Sequence, residues 1–132
     1  MIGLLDTSAF SHHHRGDRRI LDLIRKYDDV LFSPVVVAEL HAGFLRGNAR
    51  TENIKALNAF ISDVEARTVS IDKDTSLTYA EIKHALRLQG TPIPTNDIWI
   101  AATAMQYGAR LVTFDAHFKA VRQIAVELID KS

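Results

Sequence analysis

The sequence predicts an α/β fold, a three-layer α/β/α sandwich with a central parallel sheet. Three observations predict it. Short apolar runs alternate along the chain with longer stretches of helical periodicity. The short runs are apolar on both faces, as strands are when helices cover the sheet from either side. Cap residues and glycines punctuate the helical stretches.

The elements follow in order. Residues 2–5 form a short apolar run, read as a buried strand. Residues 17–27 carry apolar side chains at 20, 21, 24 and 27, a helical stripe. Residues 30–32 are a second strand. Ser33-Pro34 then starts a helix, with serine as cap and proline in the first turn. Val36, Val37, Leu40 and Phe44 face inward along it, and it stops near Gly47-Asn48. Residues 51–64 place Ile54, Leu57, Ile61 and Val64 on one helical face. Residues 69–71 are read as a third strand, and 77–88 as a helix ended by Gly90. Two prolines stiffen the loop 90–95. Thr95 is expected to cap the next helix, which Gly108 terminates. Residues 111–114 form a strand, 116–121 a short helix and 126–129 a last strand.

The chain has 132 residues, and the expectation is one domain over 1–132. Hydrophobic residues make up 47% and charged residues 24%, the balance of a globular protein. There is no cysteine, which removes disulfides, zinc thiolates and cysteine nucleophiles and fits a cytoplasmic setting. No apolar run approaches a membrane span, and the first residues lack the basic region of a signal peptide. Net charge is zero, which by itself argues against a nucleic-acid binder, since such proteins are usually basic. Acids sequestered around metal would leave the remaining surface basic. Arg15, Arg18, Arg19, Arg25 and Lys26 lie close together early in the chain. They read equally as a solvated helix face or as a phosphate track.

In open α/β folds, ligands bind beyond the carboxyl ends of the strands. Asp6 directly follows the first strand, and Asp115 directly follows the strand 111–114. Asp97 sits in the first turn of its helix, near the positive end of the helix dipole. Each of these has an ordinary explanation as a turn or cap residue. Glu39 is less ordinary, since Val36, Val37, Ala38 and Leu40 surround it, and buried glutamate is rare unless paired. Two carboxylates about 4 Å apart repel by about 4 kcal/mol at an effective dielectric near 20. Four in one pocket require protonation or cations. All-oxygen ligands favour Mg²⁺ or Mn²⁺ over zinc or copper. Such a site activates water and stabilises charge on phosphate oxygens, which is phosphodiester hydrolysis in outline.

Four segments resemble a known family. They are Leu4-Leu5-Asp6-Thr7-Ser8, then Ser33-Pro34-Val35-Val36-Val37-Ala38-Glu39-Leu40 with Gly43, then Pro94-Thr95-Asn96-Asp97-Ile98-Trp99-Ile100-Ala101-Ala102, and last Leu111-Val112-Thr113-Phe114-Asp115-Ala116-His117-Phe118. Together, and in this order, they resemble the motifs of PIN domains, in particular the VapC toxins of toxin–antitoxin pairs. The resemblance implies an Mg²⁺-dependent endoribonuclease that cuts single-stranded RNA, with Mn²⁺ as a possible substitute. It implies a homodimer and an antitoxin protein partner whose tail enters the active site. Asp6, Glu39, Asp97 and Asp115 would hold or support the metal. Thr7 and Ser8 would be nearby hydroxyls, Asn96 would orient the site, and Thr113 would touch metal-bound water or phosphate.

Other features are discounted. His12-His13-His14 is read as a surface loop, and His117 as a surface or supporting residue. Trp99 and Phe118 are read as core rather than as base-stacking platforms. Gly43 and Gly47 read as close packing and a helix end. No phosphate-binding glycine loop, nucleophile elbow or zinc-binding HExxH is present. Two other readings compete. A small-molecule phosphotransferase would also place an aspartate after the first strand, but it needs a second one where Ser8 stands. A non-catalytic binding module would be expected to lack one of the four acids.

Overall fold

The computed structural model describes residues 1–131. Five parallel strands form one sheet in the order β3-β2-β1-β4-β5. They are β1 (Ile2–Leu5), β2 (Asp29–Phe32), β3 (Arg67–Thr68), β4 (Arg110–Thr113) and β5 (Val126–Leu128). Helices α1 (Thr7–His14), α2 (Arg19–Ile24), α3 (Pro34–Arg46), α4 (Arg50–Asp63), α5 (Lys73–Gln89) and α6 (Thr95–Tyr107) connect them, and a 3₁₀ turn (Ala116–Ala120) follows β4. The expected central parallel sheet flanked by helices is present.

The three central strands are buried because both their faces are apolar. Leu4, Leu5, Leu31, Phe32, Leu111 and Val112 are all fully buried. The chain adds β2 and β3 on one side of β1, then crosses to add β4 and β5 on the other. Because the chain runs outward in both directions from β1, right-handed crossovers place helices on both faces of the sheet. The order of strands reverses between β1 and β4, which opens a crevice at their carboxyl ends. Pairing of Leu5 with Val112 brings Asp6 alongside Thr113, and the Asp6 N–H donates to the Val112 carbonyl at 3.0 Å. Gly3 lets β1 pass close to Tyr27: a Cβ there would sit 3.0 Å from the ring, which would have to give by a few tenths of an ångström.

Several boundaries differ from the sequence reading. His12, His13 and His14 lie in α1, not in a loop, and their rings pack on Phe114, Phe60 and Phe10 respectively. Helix α2 is shorter than expected. The third strand is Arg67–Thr68 rather than 69–71; Val69 still donates to the Phe32 carbonyl at 3.0 Å before the chain turns away. Helix α5 begins earlier, at Lys73, because Asp72 and Thr75 form a reciprocal capping box. Thr95 is the first residue of α6 and makes no cap; Pro94 holds the cap position. Ser33 does cap α3, its hydroxyl accepting from the Val35 N–H at 3.1 Å. Phe118 is core, as expected, whereas Trp99 is half-buried and stacks on Tyr79 with centroids 4.1 Å apart. No helix among the described residues is long and apolar enough to cross a membrane.

Candidate metal centre

Four separate segments meet at the carboxyl edge of the sheet. Asp6, Thr7 and Ser8 come from the β1–α1 junction, Glu39 from α3, Pro94 to Asp97 from the start of α6, and Asp115 from the turn after β4. Together they line a cavity of about 580 Å³. A larger groove lies elsewhere, between α2 and α4, and holds none of the four acids.

Asp6 is the most deeply set acid, at 5% exposure. It directly follows a buried strand, so its side chain starts from the edge of the core. Its Oδ2 accepts from the Thr113 hydroxyl at 2.7 Å and from the Ser8 hydroxyl at 3.0 Å. These donors are themselves fixed from behind. The Phe114 N–H donates to Ser8 Oγ, and the Asp115 N–H donates to Thr113 Oγ1, both at 3.0 Å. Thr113 was expected to touch phosphate or bound water. It is fully buried, and its hydroxyl donates to Asp6 and accepts from the Asp115 N–H.

Glu39 is held by Thr7, whose hydroxyl donates to Oε1 at 2.7 Å, and more loosely by Asn96, whose amide donates to Oε2 at 3.4 Å. This accounts for a half-buried glutamate beside an apolar stripe: neutral donors face it rather than a lysine or arginine. Asp97 projects from the first turn of α6. Asp115 caps the following 3₁₀ turn through the His117 N–H at 3.2 Å.

Burial pushes the Asp6 carboxyl above its ordinary range, against the lowering effect of its hydroxyl donors, and Glu39 adds repulsion. Burial also raises Asp97; the neighbouring His117 opposes this, while Asp6 and Glu39 reinforce it. The site is therefore short of positive charge. Among the described residues, the only ion pairs of these four acids are those that Asp97 and Asp115 make with His117.

His117 is the residue that sequence reasoning undervalued. Its ring spans two acids, with Nε2 2.5 Å from Asp97 Oδ2 and Nδ1 2.8 Å from Asp115 Oδ1. The available signal was its place two residues beyond Asp115, within a tight turn. One donor atom each from Asp97, Asp115 and His117 lies within 4.8 Å of the others, a spacing that could hold a metal ion. An oxygen-rich set in which the Asp6 and Asp97 carboxyls are raised, with no lysine or arginine paired to it among the described residues, fits a divalent cation.

A parallel sheet with an acid-lined crevice at its switch point defines a class of metal-binding α/β domain. The PIN-domain family model matches residues 3–124, and the chain belongs to that family. It is 35% identical over 130 residues to ribonuclease VapC5 of Mycobacterium tuberculosis, covering 96% of this chain and 93% of that protein. It is 29% identical over 136 residues to ribonuclease VapC2 of Rickettsia felis, covering 99% of this chain and 100% of that protein. The solved structure of VapBC2 from Rickettsia felis bound to a promoter DNA fragment aligns with a TM-score of 0.84 at 28% identity, covering 98% of this chain and 100% of that one. VapBC-5 from Mycobacterium tuberculosis, a toxin–antitoxin structure, aligns with a TM-score of 0.76 at 30% identity, covering 97% of both chains.

Proposed function

We infer that this chain is a metal-dependent endoribonuclease, the toxin of a VapBC-type toxin–antitoxin pair, and that Asp6, Glu39, Asp97 and Asp115 hold Mg²⁺, with Mn²⁺ as a substitute. The convergence of four acids from distant segments in one cavity, without a lysine or arginine among their partners in the described residues, carries this reading. The VapC ribonucleases to which the chain is similar over nearly its whole length support the activity. The toxin–antitoxin structures it resembles support a cognate antitoxin.

A cation held by these acids would polarise a water and neutralise charge that builds on phosphate oxygens. The protein's part is to place its acids. Ser8 and Thr113 fix the Asp6 carboxylate by two hydroxyl bonds to one oxygen. Thr7 and Asn96 fix Glu39 across the cavity. The N-terminus of α6 borders the crevice, and its dipole favours an anionic substrate there. Water attacks phosphorus and the P–O3′ bond breaks, leaving a 5′-phosphate and a 3′-hydroxyl. The domain spans 1–132 and works as a homodimer in this reading. Exposed Leu77 and Leu88 on α5, at 57% and 74% exposure, support a self-association surface.

The test is cleavage of single-stranded RNA with Mg²⁺, with EDTA, and with Asp97→Asn. The expected result is Mg²⁺-dependent cutting that the variant lacks, with 5′-phosphate ends. Equal cutting in EDTA, or 2′,3′-cyclic phosphate ends, would overturn it.

A further inference from the structure

We propose that His117 is a direct ligand of the bound metal, the nitrogen donor in an otherwise all-oxygen site, and that it tilts the site from Mg²⁺ toward Mn²⁺. This rests on the metal-site reading above and adds a donor to it. The two ring nitrogens lie 2.5 Å and 2.8 Å from carboxylate oxygens of Asp97 and Asp115. Adjacent ligands of a six-coordinate ion with bonds near 2.1 Å are about 3 Å apart. One donor atom from each of the three side chains lies within 4.8 Å of the others, so a ring nitrogen turned from its carboxylate would face an ion held between the two acids.

The placement of the ring is not a local accident of the turn. The Asp97 contact joins residues 20 positions apart in sequence. On its other side the ring lies against Phe118, with centroids 5.1 Å apart, and Phe118 is fully buried. The His117 N–H is bound to Asp115, so ligand and turn are set together. The side chain is 35% exposed, so it is held yet reachable by solvent.

The chemistry sets the preference. Carboxylate and water oxygens suit Mg²⁺ and Mn²⁺ alike, whereas imidazole favours the later first-row metals. Mg²⁺ also gives up its waters reluctantly and demands near-ideal octahedral geometry. Replacing one oxygen by an imidazole nitrogen therefore costs Mg²⁺ more than Mn²⁺. A histidine that merely braced the two acids would leave no nitrogen on the ion.

The full chain loaded with Mn²⁺ is measured by electron spin echo envelope modulation, beside His117→Gln. The expected result is the nitrogen modulation of a directly bound imidazole, lost in the variant. Mn²⁺ binding by calorimetry should weaken by at least about tenfold, since even loss of an outer-shell partner costs about that much, while Mg²⁺ binding changes by less than about twofold. Bound Mn²⁺ without nitrogen modulation, or modulation that survives His117→Gln, overturns the proposal and leaves the carboxylate site standing. Failure of the wild type to bind Mn²⁺ at all overturns the metal site itself, and this proposal with it. His117→Asn replaces the glutamine variant should the latter not fold by circular dichroism.

Discussion

Asp6→Asn should reverse its effect on stability according to whether metal is present. Asp6 is nearly fully buried, is repelled by Glu39 and has no cationic partner among the described residues, so its ionised form is held at a cost to folding. Asparagine keeps the shape and an oxygen that can accept from Ser8 and Thr113. It exchanges charge-assisted hydrogen bonds for neutral ones of roughly half the strength, but it also removes the repulsion and the desolvation of a carboxylate. In EDTA the net should be a gain of about 1–2 kcal/mol, the usual size when an active-site residue is relieved of its functional charge. For a chain of this length that raises Tm by about 3–8 °C. With metal at about 100 times its Kd, the wild type gains about 2.7 kcal/mol from binding, and the variant loses most of that gain. Thermal unfolding followed by circular dichroism, with EDTA and then with Mn²⁺, reads both signs. Wild type should melt below the variant in EDTA and above it in Mn²⁺. A variant that melts lower in EDTA, with both proteins shifted equally by metal, would show that Asp6 is an ordinary structural acid.

The same pair of proteins carries a pH dependence. The Asp6 carboxyl is raised above its reference value of 3.8, so the folded state binds its proton more tightly and the destabilisation is fully present only above the raised value. The Tm advantage of Asp6→Asn in EDTA should therefore be largest near neutral pH and shrink as pH falls through that raised value; an advantage that grows on acidification would reverse the assigned sign. Thr113→Val removes the hydroxyl that donates to Asp6, and a bond to a charged group contributes about 1.5–3 kcal/mol. It should lower stability in EDTA, the opposite direction to Asp6→Asn, and chemical denaturation separates the two. Asp97→Asn should cut RNA cleavage by at least about 10³-fold, or about 4 kcal/mol of barrier, with the fold intact by circular dichroism. Gly3→Ala should destabilise by about 1–3 kcal/mol, because its Cβ meets the Tyr27 ring at 3.0 Å; an unchanged denaturation midpoint would mean that the ring gives way freely.

What was legible in the sequence depended on contrast. Asp6 and Asp115 stand directly after apolar runs, so strand ends and acids could be placed together. Glu39 stood out because its neighbours are apolar, and Ser33-Pro34 marked its helix start. Helix α1 was hidden because Thr7 to His14 has no clean apolar stripe, with only Ala9 and Phe10 fully buried, and because three adjacent histidines look like surface. Those rings are held by Phe10, Phe60 and Phe114, which are distant in sequence or turned by the fold. Strand β3 was misplaced because its two residues are exposed, while the apolar signal lies just beyond them. The role of His117 required knowing that α6 passes close to the 3₁₀ turn, a tertiary fact that no spacing along the chain records.

The central claim is that Asp6, Glu39, Asp97 and Asp115 together hold a divalent cation. Crystals grown with Mn²⁺, measured for anomalous scattering, address it without reference to any substrate. A manganese peak should lie among these carboxylates and vanish in Asp6→Asn crystals. A clean map with an empty crevice, in protein that still cuts RNA, would mean that the chemistry is done elsewhere.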